Sequence, residues 1–159
     1  MESEEFLVRP IQAADAPALI KAHDQLSPEA RRLRFFRPHP VLSEREAQWF
    51  TGVDHVDREA FVVLDGKFIV AVGRYDRVSP DAAEIAIVVG DPYQHHGLGI
   101  RLLDELGAHA RDVGITKFVA DTFGDNRGAI ALIRHWAPQR RSSFEAGLLH
   151  FEMPIPQVA

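Results

Sequence analysis

Two groups of residues in this chain have types and spacing suited to chemistry. The first is the patch Gln94, His95, His96, Gly97, Leu98, Gly99 and Ile100, set between a short apolar run and a long amphipathic one. Glycines at 97 and 99 let the backbone bend and let another molecule approach main-chain N–H groups closely. A helix beginning there offers unpaired N–H groups and the positive end of its dipole, which suits a pyrophosphate-like anion. Arg101 adds a positive charge nearby. A plain strand-to-helix turn explains the same residues about as well, because a lone G-x-G recurs by chance. A metal site is poorly served. His95 and His96 are adjacent, so on a helix they point about 100° apart, and the i, i+4 spacing of a helical zinc pair is absent. The dinucleotide fingerprint is broken too: Leu102 stands where a third glycine is required, although Asp121 lies about 20 residues on, where that motif wants an acid.

The second group is a single residue. Glu84 is the only charge within Ala82–Val89, an otherwise apolar run. A carboxylate beside a core loses hydration, which raises its pKa toward the range of a general base. The competing reading puts Glu84 at the solvent end of a strand, paired with Arg74 across a sheet; most strand carboxylates are solvated.

The elements that must position these residues follow from periodicity. Glu5–Ile11 alternates like a short strand. Ala13–Leu26 repeats its apolar residues at helical spacing, with Pro17 tolerated in the first turn. Ser27-Pro28 opens a second helix, broken by Arg37-Pro38-His39-Pro40, and Ser43 with Glu46 forms a capping box for a third. Two apolar runs around Asp65-Gly66 predict a hairpin, followed by a strand over Ala82–Val89. Leu98–Val113 is a helix whose core stripe is Leu102, Leu103, Leu106, Ala110 and Val113. Lys117–Phe123 is a strand, Asn126–His135 a short helix, and Ala146-Gly147 the turn of a closing hairpin. Strands in succession with one β-α-β unit predict a mixed α/β (α+β) fold around a mainly antiparallel sheet. Trp49 and Trp136 are expected in the core. Asp54, His55 and Asp57 read as a polar connection. Arg31, Arg32, Arg34 and Arg37 form a basic cluster, suited either to a phosphate or to a solvated helix face.

Composition narrows the classes. The 159 residues suit one domain over 1–159, with 46% apolar residues, 26% charged residues and a formal net charge of −5. That balance disfavours nucleic acid and mildly favours a basic protein partner. With no cysteine, thiolate catalysis and Cys-ligated zinc are excluded, and no metal is expected. No apolar run reaches the length of a membrane span. The acidic start, MESEEFLVRP, has no signal-peptide pattern, so a cytoplasmic protein is expected.

The patch and its surroundings resemble the GNAT-type N-acetyltransferases. Their acyl-CoA loop has the form Q/R-x-x-G-x-G/A, matched by Gln94, Gly97 and Gly99. "LVRPIQAADAPAL" resembles the family's opening strand and helix, and "DNRGAIALIRHW" its later helix, where Asn126 would approach CoA. "LSPEARRLRFF" and "LSEREAQWFTGVDHVDREAFVVLDG" look like the bacterial Pat-type protein lysine acetyltransferases. In those the domain is often fused to a regulatory one; within these 159 residues none is expected.

The resemblance implies a twisted, mostly antiparallel sheet of about seven strands, with helices around it. Two parallel strands, Ala82–Val89 and Lys117–Phe123, would splay apart to admit the pantetheine arm of acetyl-CoA. The backbone of Ile87, Val88 and Val89 would pair with that arm, as a peptide adds to a strand edge. The loop from Gln94 to Ile100 would hold the pyrophosphate, the N–H of Val89 or a neighbour would polarise the thioester, and Glu84 would be the base. The implied activity is acetyl transfer to an amine, foremost a protein lysine. A small-molecule amine acceptor, and a module that binds acyl-CoA without turnover, stay open, as does the oligomeric state. One position departs from the family. Many members carry a tyrosine seven residues after the helix asparagine; here that residue is Ile133, so the leaving thiolate has no tyrosine acid from that site.

Overall fold

The computed structural model describes residues 6–157. Seven strands form one sheet: β1 (Leu7–Pro10), β2 (Arg58–Asp65), β3 (Phe68–Ser79), β4 (Ala82–Val89), β5 (Lys117–Thr122), β6 (Arg141–Glu145) and β7 (Leu148–Pro154). Their order is β1-β2-β3-β4-β5-β7-β6, and every neighbouring pair is antiparallel except β4 and β5. The expected mixed sheet with one parallel pair is therefore present.

Five helices cover it: α1 (Ala16–Gln25), α2 (Pro28–Phe35), α3 (Glu44–Thr51), α4 (Leu98–Asp112) and α5 (Arg127–Trp136). Local signals work where predicted. Ser27 accepts a hydrogen bond from the Ala30 N–H, and Ser43 and Glu46 close a reciprocal capping box. Helix α2 ends one residue before the proline-rich stretch, because Phe36 adopts a left-handed conformation at φ 60°. The turn of the β2–β3 hairpin sits one residue later than expected. Asp65 pairs with Phe68, leaving Gly66-Lys67 as the connection. The last hairpin turns at Ala146-Gly147 as predicted, both with positive φ, the geometry that matches strand twist. The first strand is shorter than predicted, and Glu5 lies outside the described residues.

Helices α4 and α5 pack on one face of the sheet. Leu98, Leu102, Leu103, Leu106 and Ala110 are buried there with Tyr75, Phe118, Phe151 and Trp136. The opposite face carries a smaller cluster of Ile11, Ala60, Val62, Leu64 and Ile69, covered by Ala18, Leu19 and Ala22 of α1. Trp136 is in the core as expected. Trp49 is not: it is 56% exposed, with the Arg58 guanidinium stacked 3.7 Å from its ring. Two histidines and a carboxylate hold the β2 end of the core. Glu59, 1% exposed, accepts from His55 Nδ1 at 2.8 Å and from the Ala60 N–H, while His109 Nε2, which donates to the His55 carbonyl at 2.7 Å, lies 3.2 Å from the other Glu59 oxygen. Asp54 accepts from the N–H groups of Val56, Asp57 and Arg58, so that polar connection is a structural turn.

Candidate active site

Strands β4 and β5 touch only at their starts. Ala82, Ala83 and Glu84 pair with Lys117, Phe118 and Val119, while β4 runs on to Val89 and β5 to Thr122 without further pairing between them. The pair splays after Glu84, as the resemblance implied. Antiparallel alternation then decides which backbone groups face the gap. Gly90 donates to the Val70 carbonyl, so the bonded pairs of β3 and β4 are Gly90/Val70 and, two residues back, Val88/Val72. The N–H and C=O groups of Ile87 and Val89 therefore turn toward the gap, and those of Val88 turn to β3. Gln94 Nε2 donates to the Val89 carbonyl at 3.2 Å, from the gap side.

The gap leads to the start of α4. Gly97 is the residue before its first turn, at φ 77°, with no side chain capping the helix. A Cβ on Gly97 would meet nothing within 4 Å, so this corner is open. His95 is also left-handed, at φ 67°, and both His95 and His96 are exposed. An uncapped helix start on an open, bent loop fits an anion held by main-chain N–H groups. Gly99 serves packing instead. A Cβ there would come within 2.9 Å of Leu132 Cδ2, so its missing side chain is what lets α4 lie against α5. Asn126 caps α5: its Oδ1 accepts from the Ala129 N–H at 3.1 Å. Arg101 turns away to the Phe6 carbonyl.

Side chains of β4 alternate between the faces. Ala83 and Ile85 enter the core with α4, and Ile87 and Val89 pack against it. Glu84, Ala86 and Val88 face the α1–α3 side. Glu84 is an exposed residue without an ion pair or hydrogen bond among the described residues. It does not pair with Arg74. The register sets Glu84 opposite Asp76, and Arg74 opposite Ala86. Nearby protein strips hydration from the Glu84 carboxyl, and the like charges of Asp121 and Asp76 add to that, so its pKa is raised above the usual value. Arg34 and His150 oppose the shift. Asp121 is held by His150, whose Nδ1 donates to it at 2.7 Å. Ile133, 4% exposed, lies in the core, so an acid there would be sealed beneath the helix.

This geometry of splayed parallel strands, an open loop and a lone strand carboxylate agrees with a direct family match: residues 23–136 match the acetyltransferase (GNAT) family. The chain belongs to that family. Its GNAT fold is also that of the GNAT domain of S. lividans PAT, with a TM-score of 0.87 and 33% identity over 93% of this chain and 89% of that one. It is 31% identical to the acetyltransferase Pat of Mycolicibacterium smegmatis over 130 residues, 77% of this chain. It spans only 38% of that protein's length. The fold recurs in yncA from Salmonella typhimurium, solved with its cofactor acetyl-CoA, with a TM-score of 0.76 and 16% identity over 97% and 96% of the two chains.

The basic cluster of α2 does not act as a unit. Arg32 pairs with Glu29 at 2.8 Å and Asp125 at 3.3 Å, and Arg31 donates to the carbonyls of His23 and Asp24. Arg34 alone turns inward, to a cleft of about 750 Å³ between α1–α3 and the sheet, which Arg74 also lines. Sequence reasoning missed this pair. The available signal was Arg74 itself, a lone charge in the apolar run Ile69–Tyr75, read there only as a partner for Glu84. Among the described residues no group of three or more His, Cys, Asp or Glu is placed to hold a metal ion, and no helix is long and apolar enough to cross a membrane.

Proposed function

We propose that this GNAT domain transfers the acetyl group of acetyl-CoA to the side-chain amine of protein lysines, with Glu84 as the general base. The observation that carries the base assignment is Glu84 itself. It is an unpaired carboxylate with a raised pKa, at the point where β4 parts from β5. The named Pat relatives favour a lysine acceptor.

Acetyl-CoA, when bound, supplies an acyl group activated as a thioester. The protein's part is to hold, orient and move one proton. Main-chain N–H groups from His95 to Ile100 receive the pyrophosphate at the uncapped start of α4, with Gly97 giving close access. The β4 edge at Ile87 and Val89 takes the pantetheine amides as an added strand, and Gln94 braces that edge through the Val89 carbonyl. The Val89 N–H faces the gap, where it polarises the thioester carbonyl.

Lysine arrives protonated at neutral pH, with an ordinary pKa of about 10.4. Glu84 takes one proton from the ammonium, which frees the nitrogen lone pair; the neutral amine then forms the N–C bond as the C–S bond breaks, and the second N–H proton passes to the departing thiolate or to water. The thiolate leaves without a side-chain acid, since Ile133 offers none. Asn126, whose side-chain oxygen caps α5, completes the proposed binding set.

Glu84→Gln keeps the shape and removes the basicity. Turnover on a lysine peptide should fall by about 10²–10⁴-fold, while calorimetric affinity for acetyl-CoA holds. Turnover near that of the parent would remove Glu84 as base, and a water held by Asp121 would replace it. No acetyl transfer by the parent chain to any amine, despite tight acetyl-CoA binding, would make this a binding module.

A further inference from the structure

The cleft under α1–α3 carries two guanidinium groups that the acetyl-transfer chemistry does not use. Its walls are mainly apolar, with Leu19, Phe35, Phe50, Val72 and Val88 among them, and Lys21, His23 and Lys67 also line it. Its volume of about 750 Å³ is that of a small-molecule site. Arg74 is 4% exposed, and its Nε and Nη2 have no hydrogen-bond partner. Its Nη1 reaches the Phe50 carbonyl at 3.4 Å, and among the described residues its one carboxylate contact is Asp76, 3.7 Å away. Asp76 is itself engaged by Arg58 at 3.1 Å. Arg34 has no hydrogen bond or ion pair among the described residues; its guanidinium lies 4.7 Å from the Phe35 ring centre and 5.9 Å from that of Phe50. The Arg74 guanidinium is 4.7 Å from the same Phe50 ring.

Charge so arranged is expensive on its own. Burial pushes both guanidiniums below their usual pKa, Arg74 to about 10, and the proximity of Arg34 adds to the shift at Arg74. A buried cation without a matched anion costs stability; a carboxylate that meets a guanidinium fork satisfies its donors and its charge together. A second charge midway along the ligand would be stranded between Phe35 and Phe50. The occupant that fits is a monoanion with an apolar body.

We propose that this cleft binds a small apolar carboxylate, its hydrocarbon body against Phe35 and Phe50 and its carboxylate on Arg34 and Arg74. The site adjoins the proposed base. Arg74 and Glu84 are diagonal neighbours on one face of β3 and β4, a separation of roughly 7–8 Å between backbones. The carboxylate therefore comes either from an amine substrate whose nitrogen reaches Glu84 or from a molecule that does not react.

The test is calorimetric titration of the full chain with octanoate and with its neutral isostere octanamide. Octanoate should bind about tenfold or more tightly than octanamide, since the difference is a charged hydrogen-bonded contact. Arg34→Met should erase the preference while circular dichroism and acetyl-CoA affinity stay at parent values; Arg74→Met should do the same if it folds. Equal binding of the two probes, or an undiminished preference in Arg34→Met, overturns the proposal. Mass spectrometry of 6-aminohexanoate incubated with acetyl-CoA and the protein then separates the sources. An acetylated product suppressed by octanoate identifies an acceptor, and octanoate binding without product identifies an unreactive occupant. The binding readout needs no turnover, so it stands or falls apart from the assignment of Glu84.

Discussion

Replacing Gly97 and Gly99 separately by alanine distinguishes a ligand cradle from a packing contact inside one short motif. Gly97 sits at φ 77° with open space where a Cβ would project. Alanine there carries the left-handed penalty of about 1–2 kcal/mol. For a chain of this size that is a Tm decrease of roughly 2–8 °C. The new methyl group projects into the space the pyrophosphate would occupy. Loss of one charge-assisted contact to a main-chain N–H costs about 1.5–3 kcal/mol, or roughly 10- to 150-fold in affinity. Gly99→Ala acts differently. Its Cβ would lie 2.9 Å from Leu132 Cδ2 and 3.1 Å from Cδ1, tighter than side chains tolerate. Leu132 is half-buried and can give a little, so overpacking should cost about 1–3 kcal/mol of stability. Acetyl-CoA affinity should change less at 99 than at 97. Thermal unfolding and calorimetric titration of the two variants give both numbers. Parent-like acetyl-CoA affinity in Gly97→Ala refutes the cradle; a larger affinity loss at Gly99 than at Gly97 refutes the division of roles.

Three further outcomes are expected. The acid limb of kcat/KM for lysine-peptide acetylation should lie above the ordinary carboxylate range, because Glu84 has a raised pKa and works only when deprotonated; Asp121→Asn, which removes the like charge that raises it most, should move that limb to lower pH. His23 is buried with a lowered pKa, mainly through desolvation, and its Nε2 donates to the His39 carbonyl at 2.6 Å. Below the unfolded value near 6.5 the unfolded chain takes a proton that the fold resists, so this stabilisation is present above that pH and lost as pH falls. Urea midpoints at pH 7.5 and 5.5 should differ less in His23→Gln than in the parent. Glu59→Gln should lower Tm by roughly 2–12 °C, from about 1–3 kcal/mol, because the amide loses the buried charge beside His55 and His109 and keeps one acceptor oxygen in place of two; a shift under a degree would show that the buried cluster contributes no stability.

What the sequence by itself determined was whatever depends on near neighbours along the chain. Ser27 and the Ser43/Glu46 pair set their helix starts, Ala146-Gly147 set the last turn, and the apolar spacing of Leu98–Ala110 set the buried face of α4. The element order and the splayed pair also followed, the latter through a family resemblance carried by Gln94, Gly97 and Gly99. Tertiary structure decided what those residues face. Glu84 is a lone charge in sequence, yet its raised pKa comes from packing and from Asp76 and Asp121 on the two adjoining strands, and its expected partner Arg74 is opposite Ala86 instead. Gly97 and Gly99 look alike on paper; only the packing of α5 turns one into an opening and the other into a helix contact. Arg34 and Arg74 are far apart in the chain and share a cleft because α2 folds over β3 and β4. Periodicity reports which way a side chain points. Dielectric, charge neighbours and free volume come from residues brought together over long stretches of chain, and these decide whether a charge is a base, an ion-pair partner or an unfilled site.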